Sequence, residues 1–260
     1  MGWKGIAIGG WLGSLFGGPL GAIIGAALGH NIEKRASAGS RRRPRFGQTY
    51  SQSQRSLIFC ASAAAMLAKM AKADGRVTQA EIDSVEQAFR RLGFTAAARD
   101  YAIGVFRRAK DDSHTIGEYA REFAAAVDSL EVRELFYEIL WDIAGADGTF
   151  SPEELRILQH IPGALDIRPD WYAYFASQWL GGGGRGATAR DPLADAYSVL
   201  GAKATDDAES LRRRYRDLAK KNHPDALRAQ GLPEEMVGKA TERMSRINAA
   251  WATIKEARGI

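Results

Sequence analysis

Apolar residues along most of this chain recur every three or four positions, and strand-like alternation is almost absent. Between residues 56 and 180 the pattern is dense: Phe136, Ile139, Leu140 and Ile143, for example, share one helical face. Alanine is abundant there and proline scarce, which predicts about six or seven helices. The pattern resumes after Asp191-Pro192. Leu193, Ala196, Tyr197 and Leu200 mark a short helix that Gly201 stops, and Ala208, Leu211, Tyr215 and Leu218 mark a second, capped by Asp206 with Glu209. Proline cannot continue a helix, so a turn is expected at His223-Pro224-Asp225. Gly231 to Glu235 then opens a long third helix with the stripe Met236, Ala240, Met244, Ile247, Trp251 and Ile254. Two antiparallel helices with a short helix across them are the implied hairpin, and the fold class is all-α.

The first thirty residues follow a different rule. From Gly5 to Gly29 no residue is charged, a length that as a helix crosses the roughly 30 Å hydrocarbon core of a bilayer. Gly9, Gly13, Gly17, Gly21, Gly25 and Gly29 recur every fourth residue. Each glycine costs a helix in water about 1 kcal/mol relative to alanine, so the ladder is out of place there. In a bilayer it makes a groove where a second helix backbone approaches closely, and these six glycines are read as a dimerisation face. Other readings are a plain monomeric anchor, a hairpin broken at Gly17-Gly18-Pro19, and a cleaved signal peptide. The hairpin leaves arms too short to span, and the heavy positive charge follows the apolar run, whereas a signal peptide has it in front.

Charge is segregated along the chain. The formal net charge is +5. Lys34 to Arg55 holds seven basic residues and no acid, residues 56–180 hold 13 basic and 19 acidic, and residues 191–260 hold 13 basic and 11 acidic. Only Lys4 precedes the apolar segment, so the positive-inside rule puts the N-terminus outside and the bulk of the chain in the cytoplasm. Residues 31–55 read as a flexible arm whose Arg41-Arg42-Arg43-Pro44-Arg45 faces anionic lipid headgroups; nucleic acid is the less favoured partner, for no aromatic platform accompanies the cluster. The divisions that follow are 1–4, an outside N-terminus; 5–30, the membrane helix; 31–55, the arm; 56–180, a helical domain; 181–190, a Gly-rich linker; and 191–260, the C-terminal hairpin.

Candidate chemistry is sparse. Cys60, the single cysteine, stands in an apolar run and reads as a buried, inert thiol. Neither HExxH nor GxSxG occurs, and the linker Gly181 to Thr188 fails the phosphate-loop pattern because Ala187 stands where lysine is needed. His114, after Asp111 and Asp112, reads as a solvated loop residue. No enzyme and no cofactor are expected.

Two passages repeat: Ala73-Asp74-Gly75 with Glu81, and Ala146-Asp147-Gly148 with Glu154. Each reads as a helix end, an Asp-Gly turn and a capped new helix, with Thr78 and Ser151 as caps and Pro152 at the first helical position. The first half of a calcium loop is missing from both, so a calcium loop of that type is rejected for each passage alone. Asp74, Glu81, Asp147 and Glu154 could still meet around one divalent ion; turn and cap roles are the plainer reading. The repeated element resembles the tellurite-resistance TerB-like helical family over roughly residues 56–165. That resemblance implies an all-α domain with a regulatory or interaction role; a metal-responsive signalling scaffold is the alternative it leaves.

The C-terminal segment resembles a J-domain over about 191–258. The matching residues are Asp195, Tyr197, Leu200-Gly201, Tyr215-Arg216, Leu218-Ala219, His223-Pro224-Asp225, and Ile247 with Trp251. Ala226 departs from the Lys or Arg common there, which is expected to weaken docking slightly. The resemblance implies a co-chaperone that docks on a DnaK-type ATPase through Tyr215, Arg212, Arg213, Arg216, Lys220, Lys221 and the triplet His223-Pro224-Asp225, and stimulates ATP hydrolysis there. The order of parts, with Gly231-Leu232-Pro233-Glu234-Glu235-Met236, is similar to the DjlA-type membrane-anchored co-chaperones of Gram-negative bacteria. It implies an inner-membrane homodimer.

Overall fold

The computed structural model describes residues 52–73, 75, 79–145, 148–180 and 191–260. The glycine ladder, the basic arm and the Gly-rich linker lie outside the described residues, as do Asp74, Thr78 and Asp147. Every regular element among the described residues is helical. Seven helices build the first domain: α1 (Gln52–Ala73), α2 (Gln79–Arg91), α3 (Ala96–Ala109), α4 (Ile116–Ala126), α5 (Leu130–Ala144), α6 (Pro152–Leu165) and α7 (Asp170–Leu180). Four follow in the C-terminal segment: α8 (Pro192–Leu200), α9 (Ala208–Asn222), α10 (Pro224–Ala229) and α11 (Val237–Arg258), with a 3-10 turn at Glu234–Met236.

α1 is the spine of the first domain. From Ile58 to Ala68 every residue is buried, and α3, α4, α5, α6 and α2 pack around it. Among the described residues, only the stretch Arg55–Ala73 of this helix is long and apolar enough to cross a membrane; its burial makes it a core helix. Small residues let neighbours close in on it. Ala61, Ala63, Ala64, Ala65 and Ala68 alternate with Phe59 and Met66, and Phe59 meets Phe123 and Phe136 edge-on at ring-centroid distances of 5.4 and 5.1 Å. Cys60 is buried as expected; its thiol lies 3.6 Å from the Ala98 carbonyl oxygen, and burial raises its pKa well above the ordinary range. Phe136, Ile139, Leu140 and Ile143 are all buried, as their spacing demanded.

Caps place the helix starts. Ser151 and Glu154 form a complete capping box on α6 with Pro152 in the first turn, so Glu154 spends its carboxylate on the Ser151 backbone N–H at 2.9 Å. Asp191 caps α8, and Gly201 ends it at φ +59°, as read from the sequence. The second C-terminal helix begins one residue later than expected. Asp207, not Asp206, accepts from the Ser210 N–H at 2.8 Å, while Asp206 accepts from the Lys203 N–H at 3.0 Å and closes the preceding turn. Two adjacent aspartates offer the same cap, and the three-residue reach to Ser210 selects the second.

The apolar stripe of α11 is divided between two cores. Ile247, Ala250 and Ile254 pack with Ala196, Tyr197, Leu200 and Leu211 inside the hairpin, where Tyr215 stacks on Trp251 at 5.0 Å. Met236 and Ala240, together with Leu227 and Leu232, join the core of the first domain. All four are fully buried. Burial is worth about 1.5–3 kcal/mol for a leucine or methionine side chain, so the two domains hold together through a genuine apolar contact.

Candidate functional site

The sequence triplet His223-Pro224-Asp225 stands at the end of α9, and its geometry follows from proline. Asn222 closes α9, and His223 leaves helical geometry at φ −60°, ψ 133°. Pro224 then takes the first position of a new helix, where its missing N–H costs nothing. The expected turn is therefore a helix-to-helix corner one residue wide. His223 caps the new helix: its Nδ1 accepts from the Asp225 N–H at 3.2 Å. The His223 and Asp225 side chains are 54% and 73% exposed, so the corner presents both to solvent.

Behind the corner the loop is tied down. Arg228 Nη1 donates to Asp225 Oδ1 at 2.9 Å and Nη2 to Glu234 Oε1 at 2.9 Å. The Leu232 N–H donates to the Leu227 carbonyl at 2.9 Å. Glu235 accepts from Ser56 Oγ on α1 at 2.7 Å, and Gln230 meets Ser129 just before α5.

The cations of α9 separate into two rows. Arg212, Arg216 and Lys220, four residues apart, are exposed and have no ion-pair partner among the described residues. Arg213, Arg214 and Lys221 line a cleft of about 390 Å³ between the domains, opposite Glu131 and Glu134, with Lys221 Nζ 3.7 Å from Glu131 Oε1. Of the residues singled out in the sequence, Arg212, Arg216, Lys220, His223 and Asp225 thus lie on the solvent side. Arg213 and Lys221 turn toward the first domain. Tyr215 is half-buried, stacked on Trp251, with its hydroxyl donating to Asn248 Oδ1 at 3.1 Å.

A polar lattice crosses the domain boundary. On α5, Glu134, Glu138 and Asp142 recur at four-residue spacing; on α11, Lys239, Arg243 and Arg246 answer them. Arg243 pairs with Glu134 and Arg246 with Glu138, and Lys239 Nζ lies 2.8 Å from Asp142 Oδ2. Arg243, Glu134 and Glu138 are at most 6% exposed, and the Arg243 guanidinium sits 4.8 Å from the Trp171 ring centroid. Burial lowers the basicity of Arg246 and Lys239, but Glu138 and Asp142 outweigh it and hold both pKa values above their ordinary range. Sequence reading missed this lattice. Its signal was an acidic ladder on an otherwise apolar helix, matched by cations interrupting the apolar stripe of α11.

Of the four carboxylates considered for a divalent ion, the Glu81 side chain lies outside the described residues. Glu154 is engaged as a cap, Asp74 and Asp147 lie outside the described residues, and among the described residues no group of three or more His, Cys, Asp or Glu could hold a metal. His114 stands in the loop before α4 as expected, its side chain 37% exposed, and it is also engaged there. Its Nδ1 lies 2.7 Å from Asp112 Oδ2, and the same carboxylate receives the Tyr119 hydroxyl and pairs with Lys69.

Three family descriptions match the chain in order: Co-chaperone DjlA transmembrane domain over residues 1–47, Tellurite resistance protein TerB over 61–174, and DnaJ domain over 195–258. Among curated proteins, the co-chaperone protein DjlA of Escherichia coli (strain K12) is 33% identical over 223 residues, covering 80% of this chain and 82% of the relative. That of Salmonella typhimurium (strain LT2) is 33% identical over 222 residues, with the same coverage, and that of Vibrio vulnificus (strain YJ016) 32% over 238 residues, covering 82% and 83%. No solved structure gives a significant match.

Proposed function

The chain belongs to the DjlA family of co-chaperones, and from that premise we propose that it docks on a DnaK-type chaperone through the J-domain corner and stimulates ATP hydrolysis there. The observation that carries this reading is the exposed His223-Pro224-Asp225 corner beside the unpaired row Arg212, Arg216 and Lys220. An uncommitted cationic row steers encounter with an acidic partner surface, and a rigid exposed corner gives that encounter a register. The bond that breaks belongs to the partner's nucleotide, so this chain acts as a regulator. Tyr215 supports the row from behind, and Arg213 and Lys221 contribute from the cleft margin.

The N-terminal match supports a single membrane span over residues 5–30, in a bacterial inner membrane, with the N-terminus outside and the remainder cytoplasmic. The ladder of six glycines supports a homodimer joined through that span. The basic arm would lie along anionic lipid, and the TerB-like domain would serve as a regulatory or partner-binding module. The test is the steady-state ATPase of a purified DnaK-type chaperone with the full chain in lipid nanodiscs, wild type beside His223→Gln. Stimulation by wild type and its loss in the variant are expected; equal stimulation by both rejects the reading.

A further inference from the structure

Resting on that co-chaperone reading, we propose that the TerB-like domain is the positioning element of the J-domain: docking of the two domains sets the His-Pro-Asp corner in its working geometry, with Arg243, Lys239 and Leu232 as positioning residues. The docked state is the working state and not a brake.

Three observations carry this. First, the chain dives into the first domain directly after the corner. His223 and Asp225 are exposed, yet Leu227, two residues on, is fully buried in the other domain's core, followed by Leu232 and Met236. The corner's C-terminal side is thus held by a surface outside the hairpin, while Asn222 anchors its N-terminal side. Second, a continuous set of contacts leads from the corner to that surface: Asp225 to Arg228, Arg228 to Glu234, and the adjacent Glu235 to Ser56 of α1. A shift between the domains therefore moves Asp225. Third, the charged side chains of Glu134, Glu138 and Arg243 are buried, and Arg246 closes the lattice at its partly exposed edge. Buried ion pairs add little net stability, because desolvation offsets attraction, but they penalise every arrangement that leaves a charge unmatched. Such a lattice selects one docking geometry. The partner-facing row Arg212, Arg216 and Lys220 stays open in that geometry, which is what a working state requires and a brake would not leave.

The experiment uses the full chain in nanodiscs with a purified DnaK-type chaperone. Two readouts are taken: ATPase against chaperone concentration, and amide hydrogen exchange over residues 223–236. Lys239→Glu sets a carboxylate against Asp142 at a position about one-quarter exposed, and Asp142→Lys in the same chain restores the pair with signs exchanged. Arg243→Met removes the buried cation. Lys239→Glu is expected to raise the half-saturating chaperone concentration about three- to tenfold and to speed exchange over 223–236. The double variant is expected to return both to within about twofold of wild type, and Arg243→Met to exceed Lys239→Glu. Unchanged or increased stimulation in a variant whose loop exchanges faster overturns the proposal, the increase identifying a brake. Unchanged exchange in Arg243→Met overturns it too, for the lattice then does not hold the loop. Failure of the underlying reading is distinct: wild type and His223→Gln would then stimulate alike.

Discussion

Asp112 shows how one side chain can settle a junction. Its carboxylate takes Lys69 from α1, Tyr119 from α4 and His114 from the connecting turn, and Lys69 also donates to the Asp112 carbonyl at 2.7 Å. Burial alone would raise its pKa, but the hydrogen bonds from Lys69, Tyr119 and His114 outweigh that and hold it below the ordinary carboxylate value. A carboxyl whose folded pKa is depressed stabilises the fold above its unfolded value and loses that contribution as pH falls through the lower, folded one. Wild type should therefore lose stability below about pH 4, whereas Asp112→Asn should show less of that acid loss. At neutral pH the same variant is expected to cost about 1–3 kcal/mol in a denaturant melt, because Lys69 and Tyr119 keep only part of their partners. The residues 111 to 114 gave no hint of this in sequence. Lys69 is 43 residues away, and a polar run reads as solvated until the fold brings a helix across it.

Helix boundaries were legible because caps are local. Ser151 with Glu154, Asp191 and Gly201 each do what their immediate neighbours require. The Asp206 and Asp207 exchange marks the limit of such reasoning, since the choice turned on which aspartate faces Ser210. Gly201 also has a second task that no local rule states. A Cβ there would stand 2.2 Å from Arg168 Nη1, and Arg168 donates to the Ser198 carbonyl at 3.3 Å from the other domain. Gly201→Ala combines a left-handed backbone penalty with displacement of Arg168, so a loss of about 1–2 kcal/mol is expected in the thermal or denaturant midpoint. The stripe on α11 was read correctly as a buried face. Periodicity says that a face is covered, not by what, and so the division of that stripe between two cores was invisible.

At the scale of the whole molecule, the charge segregation in the sequence acquires addresses. Part of the acidic surplus of residues 56–180 sits on α5 and meets cations of α11, leaving the row on α9 uncommitted. If that row steers association, raising salt from about 50 to 500 mM should raise the half-saturating chaperone concentration by roughly tenfold while altering maximal stimulation little, measured in the same ATPase assay. The triplet at the corner was legible because its three residues are contiguous. The lattice was not, because Arg243 and Glu134 are 109 positions apart and each, alone, reads as a solvated helix charge.

The insertion of Leu227, Leu232 and Met236 into the neighbouring core bears on inheritance. A J-domain taken alone from this chain would carry three greasy side chains into water, and a foreign one grafted in its place would leave holes where they had been. The two domains are therefore not interchangeable parts: a substitution at the seam in one is expected to need an answering change in the other, as the paired variants at Lys239 and Asp142 test.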